Sequence, residues 1–332
     1  MRIIPQKIMC AIDFSDFTNL TLSYGQSLAK EFGASLTLCH VVSNMVLMSS
    51  AGQAYVASEK IEAERREDAA SRLREIAKTL EMDCSIMVST GHPADEIARI
   101  AEESGMDMVV AATHGGSGVK RFLVGSVTDR LVKILTCPVM VLHGEAVPDV
   151  APGDKKKLLN RILVGCDFSP DSSLAFQYGL SLAQEFETEL FLAHVVRPTE
   201  HVEFSSADYI KIQEGDYLGW DRSDYLGLTK NANEADGQRK DTLMHRLQRQ
   251  LAGMVPEESR HWCTPITAVR EGEPYKELLD FAGKKNVDLI VLGVRGHSLM
   301  EKFLVGSTTD RVISRAECPV LAVRPNDSDN EK

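Results

Sequence analysis

Asp288-Leu289-Ile290-Val291-Leu292-Gly293-Val294-Arg295-Gly296, followed nine residues later by Gly306-Ser307, decides the fold, because it occurs twice. The other copy runs Asp107-Met108-Val109-Val110-Ala111-Ala112-Thr113-His114-Gly115, and nine residues on comes Gly125-Ser126. Each apolar run has strand length, and each glycine pair opens a helical pattern, so the glycines fall in a loop between a strand and a helix. Such a loop offers backbone N–H groups to a phosphate.

Outward from that loop the whole chain is repeated. Asp13-Phe14-Ser15 matches Asp167-Phe168-Ser169 and His40-Val41-Val42 matches His194-Val195-Val196, both displaced by 154 residues. Beyond them the displacement is 181: Gly91 with Gly272, Pro93 with Pro274, Gly125 with Gly306, Cys137-Pro138 with Cys318-Pro319. The difference of 27 is an insertion in the second copy, between Val196 and Gly272. Strand patterns at 7–12, 35–42, 84–89, 107–112 and 138–142 alternate with helical ones near 94–104 and 126–135. Leu20, Tyr24, Leu28 and Phe32 form one apolar stripe on the first helix, and Ala69, Leu73, Ile76 and Leu80 another on a longer, charged helix. The fold class is α/β: two tandem five-stranded parallel, doubly wound, Rossmann-like units. The expected boundaries are 1–145, a linker at 146–159 containing Lys155-Lys156-Lys157, a second unit at 160–325 with its insertion near 199–240, and a polar tail at 326–332.

A chain of 332 residues with 43% apolar and 26% charged content has room for two cores. Its formal net charge of -11 opposes a nucleic-acid surface. No apolar run is long enough to span a bilayer, and Met1 to Cys10 lacks a signal-type segment, so a cytoplasmic location is expected. Seven cysteines without a C-x-x-C pair, several of them in strand patterns, suit structural thiols.

The ordered set of Asp after strand one, His-Val after strand two, a Gly-x-Pro turn, the G-x2-G-x9-G-[ST] loop and Cys-Pro-Val before the last strand resembles the universal stress protein family in its tandem form. That resemblance covers Lys7 to Arg324 and implies ATP, ADP or AMP at the strand C-termini, with Mg2+ arriving on the phosphates. It implies that Asp167 and Val195 lie near adenine and ribose, that Gly293 and Gly296 let the backbone approach phosphate, and that Gly306, Ser307 and Thr308 contribute at a helix N-terminus. Arg295 lies inside the loop, either paired with phosphate or solvated. Asp13, Val41, Ala112, Gly115, Gly125 and Ser126 would form a weaker first site. It is weaker because Ala112 carries a Cβ where the second copy has glycine, which obstructs either a positive φ or close approach of a ligand.

Each residue also has a structural role to consider. Ser126 and Ser307 precede Asp129 and Asp310 by three, the spacing of a capping box. Asp13 and Asp167 equally suit N-caps or turn residues that end a strand. His40 and His194 fit strand-end histidines better than metal ligands, for want of a second ligand at zinc-type spacing. The insertion, with Asp-Tyr-Leu-Gly repeated at Asp216 and Asp224, is either a surface excursion or a lid or partner-docking arm beside the second site.

The expected function is therefore a non-catalytic, adenine-nucleotide-binding stress or signalling protein. No G-x4-G-K-[ST] loop and no evident general base accompany the glycines, so slow ATP hydrolysis is the most an enzyme reading allows. A nucleotide-free interaction scaffold is the alternative. Val139–His143 and Val320–Arg324 would be open sheet edges unless paired, which the resemblance implies they are, with the two units as a pseudo-dimer and a further homodimer open.

Overall fold

The computed structural model describes residues 3–43, 46–48, 54–56, 59–113, 125–143, 158–197, 235–261, 264–295 and 305–325. In the first unit β1 (Lys7–Ala11), α1 (Thr18–Phe32) and β2 (Ser35–Ser43) are followed by a short antiparallel pair, β3 (Val46–Met48) and β4 (Ala54–Val56). Then come α2 (Glu59–Thr79), β5 (Cys84–Gly91), α3 (Pro93–Glu103), β6 (Met108–Ala112), α4 (Ser126–Ile134) and β7 (Val139–Leu142). The second unit repeats the plan with β8 (Arg161–Gly165), α5 (Pro170–Phe186), β9 (Glu189–Val196), α6 (Ala235–Met254), β10 (Thr264–Glu271), α7 (Pro274–Lys285), β11 (Leu289–Gly293), α8 (Ser307–Arg315) and β12 (Val320–Val323). The strands and helices expected from periodicity are present with ends shifted by a residue or two. The β3–β4 pair was not expected.

One ten-stranded sheet results, in the order β10-β9-β8-β11-β12-β7-β6-β1-β2-β5. The eight strand pairings within the halves are all parallel, as βαβ units require, and the halves meet where β12 runs antiparallel to β7 with Leu321 opposite Met140. Period-two alternation divides each strand between two cores. Ile8 and Cys10 face α1, α2, α5 and α6 on one side, while Met9, Val109 and Leu163 face α3, α4, α7 and α8 on the other. Both clusters run through both units. Side chains such as Leu28, Leu73, Leu131 and Phe191, at most 2% exposed, each contribute about 1.5–3 kcal/mol by burial.

Register is fixed at both ends of the sheet. On the N-terminal side, Asp107 Oδ2 accepts from the backbone N–H groups of Gln6 and Lys7, and Asp288 Oδ2 does the same for Asn160 and Arg161. Charge-assisted bonds of this kind pin β1 to β6 and β8 to β11. On the C-terminal side, Gly91 (φ 152°) and Gly272 (φ 148°) make the turns into α3 and α7, and a Cβ at either would strike Glu96 or Glu277.

Candidate functional site

Strand order places the crevice. From β8 the chain passes through α5 on one face, and from β11 it passes to α8 on the other, so the C-terminal ends of β8 and β11 part at a topological switch point. The first unit has the same point between β1 and β6.

At the end of β8 the chain turns sharply. Asp167 Oδ1 accepts from the backbone N–H of Ser169 at 3.0 Å and from its hydroxyl at 2.5 Å, and Asp13 Oδ1 accepts from the Ser15 N–H at 2.9 Å. These are Asx turns, and they leave both aspartates exposed at the crevice. The next residues, Phe168 (φ 64°) and Phe14 (φ 60°), adopt the left-handed conformation that costs a bulky side chain on the order of 1 kcal/mol or more. Each strained ring packs on a histidine in the C-terminal half of the neighbouring strand, with centroids 4.8 Å apart for Phe168–His194 and 4.4 Å for Phe14–His40. The histidines are anchored in turn, Nδ1 of His194 on the Cys166 carbonyl and Nδ1 of His40 on that of Ile12, both at 2.7 Å. Burial holds the His40 pKa below its ordinary value, with the Arg72 guanidinium adding to that effect.

The two units differ around this common frame. Val195 is half-buried, whereas Val41 is 7% exposed. Arg72 of α2 lies over the Phe14 ring at 3.8 Å, beside a cleft of about 400 Å³ whose walls include Ser15, Thr18, Asp68 and Glu75.

The glycine loops are described only at their bases, since Gly115 and Gly296 lie outside the described residues, as do the linker lysines and most of the 199–240 insertion. Each base is closed by the chain itself. The Gly125 N–H donates to the Thr113 carbonyl at 2.5 Å and the Gly306 N–H to the Val294 carbonyl at 2.7 Å. Behind them Thr128 Oγ1 donates to the Ala112 carbonyl and Thr309 Oγ1 to that of Gly293, at 2.6 and 2.7 Å.

This closure corrects the expected capping boxes. Gly125 and Gly306 are the N-caps and no side-chain cap bond is made, so Ser126 and Ser307 are first residues of their helices, exposed to solvent. Gly306 binds the Val294 carbonyl through its N–H and then starts the helix with its own carbonyl, accepting from Asp310. The serine therefore falls one position late to cap. Helix geometry leaves the first-turn N–H groups without an intrahelical acceptor, and Ser307 and half-buried Thr308 belong to that turn. Among the described residues, Ser169 is a side-chain cap, on α5, accepting from the Ser172 N–H at 3.2 Å.

Gly293 is glycine for a packing reason that the sequence did not show. Its φ is not positive, and a Cβ there would lie 2.7–2.9 Å from the main chain and Cβ of Asp171. The missing side chain makes room for the first turn of α5. Asp171, 7% exposed in its side chain, then grips the residue that begins the loop. Its Oδ2 accepts from the Arg295 backbone N–H at 3.0 Å and from Nε at 3.1 Å, and its Oδ1 accepts from Nη2 at 3.3 Å. Arg295 is thus neither solvated nor free in the loop: its side chain is 16% exposed and forked onto a carboxylate. Asp171 escaped the sequence reading. The signal lay in the repeat, where Gly293, Arg295 and Asp171 all depart together from Ala112, His114 and Phe17.

Five of the described cysteines are held as neutral thiols by burial. Burial raises Cys10, Cys39, Cys137, Cys166 and Cys318 to about 12. Among the described residues no three His, Cys, Asp or Glu side chains group as metal ligands, and no helix is long and apolar enough to cross a membrane.

Two five-stranded doubly wound repeats, each with an Asx turn and a glycine-loop base at its switch point, define a tandem doubly wound α/β protein. The chain belongs to the universal stress protein family, whose model matches residues 5–143 and 159–324. It is 33% identical over 145 residues to the universal stress protein YxiE of Bacillus subtilis, covering 41% of this chain and 98% of that one. A universal stress protein of Mycolicibacterium smegmatis is 26% identical over 328 residues, covering 96% and 97% of the two chains. The crystal structure of a universal stress protein from Archaeoglobus fulgidus matches the fold over 96% of this chain and 98% of its own, with a TM-score of 0.66 at 19% identity.

Proposed function

We propose that this protein is a non-catalytic receptor for an adenine nucleotide, held mainly in the crevice of the second unit, and that occupancy sets its conformation or its partners in a stress or signalling response. The observation that carries the reading is the placement of exposed Asp167 and half-buried Val195 at the C-terminal ends of neighbouring β8 and β9, next to β11, whose following helix α8 begins without a side-chain cap and with Ser307 exposed. A carboxylate and a strand end suit a base and ribose, and first-turn N–H groups with the helix dipole suit phosphate. The base of the loop contributes through Gly306 and Thr308, with Gly293 and Gly296 at its start. The first unit is the weaker partner: Val41 is covered, and Arg72 sits on Phe14. Asp13, Ala112, Gly125 and Ser126 take the matching positions there, with Gly115 matching Gly296 in sequence. Any Mg2+ would come with the phosphates. The two units act as one pseudo-dimer through β7 and β12, in the cytoplasm.

Mass spectrometry of small molecules released from freshly purified full-length protein tests this. An adenine nucleotide near one equivalent supports it. Its absence, together with no uptake of added ATP, ADP, AMP or adenosine, leaves the scaffold reading.

A further inference from the structure

We propose that Asp171 is the specificity-determining residue of the second unit, an internal anion that selects adenine ligands with few phosphates over ATP. The inference rests on the nucleotide reading above and narrows its ligand class. Asp171 belongs to the first turn of α5, which follows β8, and Arg295 follows β11, so their contact spans the switch-point crevice. The three donors it uses are a backbone N–H at the start of the glycine loop and two N–H groups of one guanidinium. A backbone amide with an arginine fork is the donor set that recognises a phosphoryl group. In this chain that set is already filled by a carboxylate.

Two observations show that the arrangement is built. Gly293 lacks the Cβ that would hold Asp171 away. The first unit has none of the three components, with Ala112, His114 and Phe17 at the matching positions. A triphosphate approaching the loop meets a buried carboxylate on the cation it needs, and like charges at close quarters are costly. Adenosine, which brings no anion, meets no such conflict. AMP, with its single phosphate directed to the α8 terminus, falls between them. The second unit therefore takes adenosine or AMP in preference to ATP.

The test is photolabelling of the full chain with 8-azido-ATP, 8-azido-AMP and 8-azidoadenosine, with labelled peptides assigned to residues 158–325. Wild type should label half-maximally at lower 8-azidoadenosine or 8-azido-AMP than 8-azido-ATP. Asp171→Asn keeps the side-chain shape and removes the charge, so half-maximal 8-azido-ATP should fall roughly tenfold or more while 8-azidoadenosine stays within about twofold. Arg295→Gln removes the cation and should weaken 8-azido-ATP without changing 8-azidoadenosine. The proposal is overturned if adenosine labelling persists but Asp171→Asn leaves ATP unchanged or weaker, or if Arg295→Gln strengthens ATP. Should Asp171→Asn unfold below the assay temperature, the wild-type ranking and the Arg295→Gln result decide. No labelling of residues 158–325 by any probe, in any form, overturns the nucleotide reading itself and this inference with it.

Discussion

Phe32 meets Phe186 edge to face, their ring centroids 6.4 Å apart and their planes at 79°, and the two occupy the same position of the two repeats. A residue touches its own counterpart where a two-fold relates the copies. The surrounding contacts have the same reciprocity. His143 Nε2 lies 2.6 Å from the Ile313 carbonyl, and Arg324, 181 residues after His143, reaches with Nη2 to the Val132 carbonyl, itself 181 residues before Ile313. Leu321 and Met140, paired between β12 and β7, are also 181 apart.

An edge-to-face aromatic pair contributes about 0.5–1.5 kcal/mol beyond its burial. Phe32→Leu and Phe186→Leu should each destabilise the protein, and the double substitution should cost less than their sum by about that coupling. Urea unfolding of the four proteins measures it. Strict additivity would mean that the aromatic contact contributes nothing of its own.

With five thiols raised to about 12 by burial, alkylation of the native protein should be slow at Cys10, Cys39, Cys137, Cys166 and Cys318. Cys84, half-buried on the outer strand β5, should react first among the described cysteines. Timed iodoacetamide labelling with peptide mass spectrometry gives the order. Early modification of Cys10 would contradict the packing around it.

The fold was legible because apolar spacing and two constant displacements report local periodicity and duplication, both of which sequence carries directly. Leu20, Tyr24, Leu28 and Phe32 are all buried, as their spacing predicts. The site was legible only where its parts were local, as at the Asx turns of Asp13 and Asp167. The role of Gly293 depends on Asp171, more than a hundred residues away, so no local pattern shows it. Ser126 and Ser307 misled because the S-x-x-D spacing is right for a cap, while the preceding glycine, tied to the strand end through its N–H, moves the cap one residue earlier.

Burial lowers the His40 pKa, so the unfolded chain binds its proton more readily than the folded one. Stability from this group is full above the unfolded value near 6.5 and is lost as pH falls toward the lower folded value. The melting temperature of wild type should therefore drop more between pH 7 and pH 5 than that of His40→Asn. A titration of the His40 ring by NMR with a midpoint at or above 6.5 would refute the shift.

Thr128 and Thr309 hold the ends of β6 and β11 to the helices that follow, each through one hydroxyl on a strand carbonyl. Replacing either by valine keeps the shape and strands a carbonyl, at about 1–3 kcal/mol. The losses should be similar in the two units, since the strut is structural and independent of ligand. A much larger effect of Thr309→Val on nucleotide uptake than on melting would assign it a direct binding role.

The sharpest contrast is the exchange of the two strand-end residues. Gly293→Ala places a methyl group 2.7–2.9 Å from Asp171, mostly against main chain that cannot swing aside, so α5 must shift. Overpacking of this kind costs about 1–3 kcal/mol. Ala112→Gly relieves nothing, because Ala112 has no positive φ and Phe17 stands where Asp171 would be. It should lower stability only by the roughly 0.5–1 kcal/mol of added unfolded-state freedom. Thermal unfolding of both variants, with Gly293→Ala repeated in an Asp171→Ser background, separates the causes. Because the clash is with Asp171 backbone as well as its Cβ, the serine background should not rescue the stability of Gly293→Ala, and a full rescue would show that the obstruction comes from the carboxylate side chain.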